Sequence, residues 1–160
     1  MAGDGVLFKW DDKDLQAMIA RSIGNIKDMT PVMKSFSEYM VTQTDKRFMD
    51  EKAPDGSPWQ KLSSITLARK ARLNKIDKIL QQDGYLRLVH PHADKDSAGV
   101  YSDRIYTAIH NRGGMAGPGR KVKIPKREFL GFNDEDFKEF EETCKDFIIF
   151  RKQQVSSLLK

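Results

Sequence analysis

A single cysteine, Cys144, stands in the 160 residues. That excludes an intramolecular disulfide and any cysteine-rich zinc centre. Cys144 falls on the apolar spacing of a C-terminal helix, so a buried thiol is expected. Long apolar runs are missing too; none approaches the ~18–20 residues that span a bilayer. The opening MAGDGVLFKWDDKD turns acidic where the apolar region of a signal peptide would continue. The expectation is a soluble, unexported protein with no membrane partner. The glycine stretch GGMAGPGR lacks the GKS or GKT ending of a phosphate cradle. No internal repeat is present, and no low-complexity segment beyond that stretch.

What is there is a polar globular chain, with 39% apolar and 32% charged residues. Its length suits a single domain spanning residues 1–160, able to bury roughly two thirds of its unfolded surface. The net charge of +5 is unevenly placed. Lys61 to Lys78 holds six bases (Lys61, Arg69, Lys70, Arg72, Lys75, Lys78) and one acid. Asp134 to Asp146 holds seven acids and two lysines. Segregation of this kind speaks about partners rather than fold.

Hydrophobic periodicity outlines the elements. Val6 to Trp10 reads as a strand. Leu15, Met18, Ile19, Ile23 and Ile26 share one helical face from about Asp12 to Lys27. Thr30-Pro31 reads as N-cap and first position of a second helix carrying Val32, Met33, Phe36, Met40 and Phe48. The two helices are expected as an antiparallel hairpin. Ala53-Pro54-Asp55-Gly56-Ser57-Pro58 is a turn, since proline presets φ and Gly56 takes positive φ. Trp59 then anchors the turn to the body, its N–H finding a partner. Ser63 or Ser64 caps a third, basic helix reaching about Lys75. Tyr85 to His90 reads as a strand ended by Pro91, and Ala98 to Tyr101 as its hairpin partner. A flexible loop is expected near 112–120, then a strand at 121–124. An extended connection docks Phe129 and Leu130. Asn133 or Asp134 caps a last helix whose inner face is Phe137, Phe140, Cys144, Phe147, Ile148 and Arg151, with a tail beyond Val155 that frays or meets a neighbour. The fold class is α+β: an N-terminal helical hairpin, a small antiparallel sheet and a long C-terminal helix.

Four blocks carry more than periodicity. Arg47 to Thr66 follows R-F-x-x-E-x-x-P-D-G-x-P-W-x-x-L-S-x-x-T. Ile79 to Arg87 reads ILQxDGxLR, Tyr106 to Gly114 reads YTAIHNRGG, and Ile124 to Phe132 reads IPKREFLGF. Together, in this order, they resemble the phage virion morphogenesis family, the Mu-type tail completion proteins. This chain departs from the family pattern at Asp83 (usually Thr), Asn111 (usually Gln) and Glu128 (usually Pro). The resemblance implies a structural, non-enzymatic protein of a bacteriophage or prophage, acting in tail completion or head–tail joining at the neck. It implies partners among tail terminator, connector or head-completion proteins, a homo-oligomeric ring around the DNA channel, assembly in the host cytoplasm and residence in the virion.

The residues offer little chemistry of their own. His90 and His92 with Asp94 and Asp96 form the one candidate metal cluster, but no third histidine or cysteine lies near, and a solvated turn is the plainer reading. His110 reads as a hydrogen-bonded structural histidine rather than a general base, because no nucleophile or partner acid has a recognisable spacing to it. Asp50, Glu51 and Asp55 lie at a helix end and a turn, where a metal nuclease would want acids on strand ends. No catalytic, cofactor or metal residue is therefore expected. Trp59, Phe129 and Leu130 are expected as structural anchors. Arg69, Lys70, Arg72, Lys75 and Lys78 on one side, and Glu139, Glu141 and Glu142 on the other, are expected to meet across neighbouring copies. Arg120 and Lys121 on the glycine loop are expected to reach an acidic neighbour or DNA in the channel. The alternative is a sequence-independent DNA-binding module using residues 69–78, since phosphate neutralisation needs only lysine and arginine on one face.

Overall fold

The computed structural model describes residues 4–9, 13, 17 and 28–158. The elements run β1 (Asp4–Lys9), α1 (Thr30–Asp50), α2 (Ser64–Arg72), a 3-10 turn (Tyr85–Arg87), β2 (His90–Ala93), β3 (Ser97–Ser102), α3 (Thr107–Arg112), β4 (Gly114–Ala116), a second 3-10 turn (Pro118–Arg120), β5 (Val122–Ile124) and α4 (Asp134–Leu158). The fold is α+β. The helix expected at about 12–27, and with it the helical hairpin, lies outside the described residues.

The main sheet is antiparallel in the order β1-β3-β2, with Val6 opposite Val100 and Pro91 opposite Val100 on the other side. Gly99 is required there, because a Cβ would collide with the Val6 carbonyl oxygen of β1. Buried Ala98 and Val100 face α1, which lies across β2 and β3 and also packs on α4. β4 and β5 form a separate two-stranded hairpin.

Helix α1 organises the core through two aromatic clusters about 18 Å apart, a distance set by the twelve residues between Phe36 and Phe48. Phe36 stacks on Tyr39 and Phe132 and meets Phe140 edge-on at 5.1 Å between ring centroids. Phe48 meets Trp59 edge-on at 5.4 Å and Phe129 at 5.0 Å. Aromatic pairs in these geometries add ~0.5–1.5 kcal/mol each beyond their buried area.

The boundaries refine several expectations. Helix α1 begins at Thr30 rather than Pro31; Met29 is the cap residue, and the Asp28 carboxylate accepts the Thr30 N–H at 2.9 Å. It ends at Asp50, before the proline turn, because Glu51 turns left-handed at φ 56°. That conformation costs ~1 kcal/mol for a non-glycine residue, and the Glu51 carboxylate offsets it by accepting the Ile79 N–H at 2.8 Å. Ser63 caps α2, accepting from Thr66 N–H. Helix α2 stops at Arg72 rather than Lys75, because Asn74 takes φ 51° and Lys75 N–H returns to the Lys70 carbonyl. This is a Schellman ending with asparagine in the left-handed position.

The strand expected at Tyr85–His90 is a 3-10 turn instead, and Pro91 lies within β2 rather than ending a strand. Proline is tolerated there because β2 is an edge strand and needs no outward N–H. Arg87 is drawn back to α1 by a paired contact with the Asp45 carboxylate, its Nη2 at 2.6 Å. The glycine stretch carries regular backbone, β4 and the 3-10 turn, with positive φ at Gly113, Gly114, Gly117 and Gly119. In α4, Asn133 and Asp136 form a reciprocal capping box at 2.9 Å each way. Phe140, Cys144 and Ile148 are buried as the spacing predicts, but Phe137 is 48% exposed. Asp136 takes the inner position of that first turn. The tail expected to fray is helical through Leu158.

Candidate functional site

The fourth sequence block contains an extended segment, residues 125–131, which the first and third blocks clamp, while the second block is tied to the first. The segment's backbone has few sheet partners, so side chains from elsewhere satisfy it. Asn111, on α3, accepts Phe129 N–H at 2.8 Å and Leu130 N–H at 2.9 Å, and donates to the Leu130 carbonyl. Trp59 donates its indole N–H to the Glu128 carbonyl at 2.9 Å. Arg47, on α1, donates to the Phe129 and Gly131 carbonyls at 3.1 and 2.9 Å and pairs with Asp136 of α4 at 3.0 Å. Gly131 permits the Pro54 ring to rest directly on the segment. Asn133 ties down the Pro54 carbonyl from the other side at 2.9 Å. Gln81 reaches the Phe48 carbonyl at 2.7 Å. The Pro-Asp-Gly turn is closed by Gly56 N–H to Ala53 and by the Asp55 carboxylate on Ser57, which holds that carboxyl below its usual range.

Trp59, Phe129 and Leu130 are thus buried in this knot. The polar members Arg47, Asn111, Asp136 and Gln81 were not foreseen as site residues. Their signal was present: Arg47, Gln81 and Asn111 are letters of the blocks. Asn111, a departure from the family pattern, makes three hydrogen bonds, as many as Arg47. Burial lowers the Arg47 pKa against the opposing pull of Asp136, and burial with Asp136 nearby raises that of Tyr39.

Beside the knot lies a cleft of about 720 Å³ between α2, the Tyr85–Arg87 turn and the β4–β5 hairpin. Lys61, Arg69, Lys70, Lys123 and Arg127 line it, with Asp83 the one carboxylate among its lining residues. Leu62, Leu80, Leu86 and Ile124 supply apolar wall, and Tyr85 and Tyr106 stand at it with exposed rings. Lys70 is buried, its ammonium donating to the Ile76 and Lys78 carbonyls at 2.9 and 2.6 Å. Arg127 is also buried and donates to the Gln60 and Lys61 carbonyls. Burial lowers both pKa values. His110 lines the same cleft, and its Nδ1 is buried without a hydrogen-bond partner. Burial, then Arg127, lowers its pKa.

The charged residues expected to meet partners divide accordingly. Arg69 is exposed on the cleft; Lys70 is a buried member of its wall and not part of an outer face. Arg72, Lys75 and Lys78 are exposed but lie outside the cleft, and Lys75 pairs with Asp83 at 2.7 Å. Arg120 and Lys121 are exposed on the hairpin. Glu139, Glu141 and Glu142 are exposed on α4, while Asp136 is spent on Arg47. His90 and His92 are exposed on one face of β2, and the exposed Asp94 carboxylate lies 3.6 Å from His92 Nε2 while accepting Asp96 N–H, Ser97 N–H and the Ser97 hydroxyl. Among the described residues no group of three or more histidine, cysteine, aspartate or glutamate side chains could hold a metal. Nor does any described helix have the length and apolarity to cross a membrane.

The model of the phage virion morphogenesis family matches residues 10–148. The chain belongs to that family. A Haemophilus influenzae relative, Mu-like prophage FluMu G protein 2, is 27% identical over 118 residues, covering 73% of this chain and 76% of that protein. No solved structure matches. The virion morphogenesis family assigns the chain to phage structure and assembly.

Proposed function

We propose that this member of the virion morphogenesis family is a tail completion protein, joining filled heads to tails at the neck. It acts through protein–protein contacts in a homo-oligomeric ring and carries no catalytic activity. Tail terminator, connector or head-completion proteins are its partners, and the virion neck is its place. One observation carries this reading: the buried polar side chains Arg47, Gln81, Asn111 and Arg127 of the sequence blocks hold the chain's own backbone, which leaves the surface for partners. That surface is divided between exposed cations near α2 and exposed carboxylates on α4. Such a division suits a head-to-tail contact that closes into a ring when the rotation permits.

The test is electron microscopy of particles from a lysate lacking the protein. The expected outcome is filled heads and separate tails that become virions when purified protein is added. Normally joined particles would overturn the joining role and put sequence-independent DNA binding by residues 69–78 in its place.

A further inference from the structure

The cleft has a feature that a structural framework does not require. Lys70 and Arg127 are buried cations whose hydrogen bonds go to main-chain carbonyls. Asp83 is held by Lys75; Asp77 and then Glu51 act on Lys70, and Glu51 on Arg127, without a direct ion pair to either, and Glu51 accepts Ile79 N–H. Exposed Lys61, Arg69 and Lys123 add to the positive field, and His110 lines the same space. Concave walls with low-dielectric surroundings concentrate such a field. The cleft therefore suits a negatively charged occupant. Its leucine and isoleucine wall and its exposed tyrosines ask that occupant for apolar side chains as well.

The same chain carries that combination. On α4, Glu135, Glu139, Glu142 and Asp146 follow the 3/4 spacing of one helical stripe, which runs on into Ile149 and Phe150, and all six are exposed. Glu142 to Phe150 covers about 12 Å of helix. Duplex DNA, roughly 20 Å across, would touch the rim but not the apolar wall or the buried cations; a helix stripe presenting carboxylates and then aromatic and aliphatic side chains addresses both.

We propose that the cleft between α2 and the β4–β5 hairpin receives the acidic stripe of α4 from a second copy of this chain. The contact rests on the oligomeric reading given above and names its two faces. Residues Glu142 and Asp146 meet Arg69 and Lys123, and Ile149 or Phe150 enters between Tyr85 and Tyr106. The contact is heterologous, so each copy offers one cleft and one stripe.

The test uses the full-length chain and two double variants at exposed positions, R69E/K123E in the cleft and E142K/D146K on the stripe. Sedimentation velocity over a concentration series reads self-association, and thermal melting checks that each variant folds as the wild type does. Each variant alone should weaken self-association by roughly 30-fold or more. An equimolar mixture of the two should restore it, because a normal cleft then meets a normal stripe and the reversed faces also match. Wild-type protein that stays monomeric throughout the series overturns the proposal, as does an R69E/K123E variant that associates normally. A fluorescent oligonucleotide bound by wild-type protein and lost in R69E/K123E, with self-association unchanged, would assign the cleft to nucleic acid instead. Complementation of the lysate separates the two levels. Full rescue by R69E/K123E would sink the cleft contact and leave the joining role standing, whereas joined particles with no protein at all would sink the joining role.

Discussion

The α1–α4 seam and the α2 cleft both bury cationic side chains, and they neutralise them differently. At the seam, Arg47 has a carboxylate at 3.0 Å and two carbonyls, and Asp136 in turn accepts the Asn133 N–H. Charge, hydrogen-bond geometry and helix capping close on one another there. In the cleft, the hydrogen bonds of Lys70 and Arg127 go to carbonyls, and the acids that act on them, Asp77 and Glu51 on Lys70 and Glu51 on Arg127, do so without a direct ion pair. A buried ion pair that is complete serves the fold. Cations left without a direct ion pair keep a field directed at whatever arrives.

The contrast can be broken first at the seam. Asp136→Ala leaves Arg47 buried and uncompensated and should cost about 3–5 kcal/mol in chemical denaturation. A loss under 1 kcal/mol would mean that the pair is solvated and no different from the cleft. Trp59→Ala, which opens a cavity beside Phe48 and orphans the Glu128 carbonyl, should cost ~3–5 kcal/mol and lower the melting temperature; unchanged thermal stability would remove Trp59 from the framework. The cleft should respond less. Lys70→Met keeps the buried stem and gives up two hydrogen bonds, one of them replaced by relief of desolvation, for about 1 kcal/mol. A cost as large as that of Asp136→Ala would make Lys70 a structural cation.

The smallest effect is a pH dependence. The folded-state pKa of His110 is depressed by burial and by Arg127. Below the unfolded-state value of about 6.5, the unfolded chain binds a proton that the folded chain resists. Stability from this residue is therefore present above that pH and is lost as pH falls toward the depressed folded value. His110→Gln should flatten this part of a stability profile measured between pH 7 and pH 5; an unaltered slope would show that the ring titrates freely. The Cys144 thiol, fully buried and pushed up to about 12 by burial and then by Glu141, should meanwhile resist alkylation in the native protein.

Much of this was legible in the residues. The 3/4 spacing of Val32, Met33, Phe36, Met40 and Phe48 is the spacing of one buried helix face, and Cys144 with Phe140 and Ile148 repeats it on α4. The turn at Pro54-Asp55-Gly56 and the caps at Ser63 and Asn133 follow from local chemistry, and local chemistry is what sequence records. The failures share a cause. Tyr85–Arg87 alternates like a strand but winds into a 3-10 turn, because Leu86 is buried and Arg87 is pulled to Asp45, 42 residues earlier. Phe137 has the character of a core residue but lies exposed, because Arg47 claims the inner position for Asp136 across 89 residues.

By itself the sequence determined helices α1, α2 and α4, the Pro54-Asp55-Gly56 turn, the division of charge and the ordered blocks that mark the family, since each depends on neighbours within a few positions or on a pattern along the chain. Tertiary structure alone decided which charges are spent and which remain. Lys70 and Arg69 are adjacent in the chain, yet one is buried against carbonyls and the other faces solvent. Asp136 and Glu139 are a helical turn apart, yet one closes the core and the other is exposed to solvent. The reason is that neutralisation depends on distances through space, and those are set by how α1, α4 and the 125–131 segment pack.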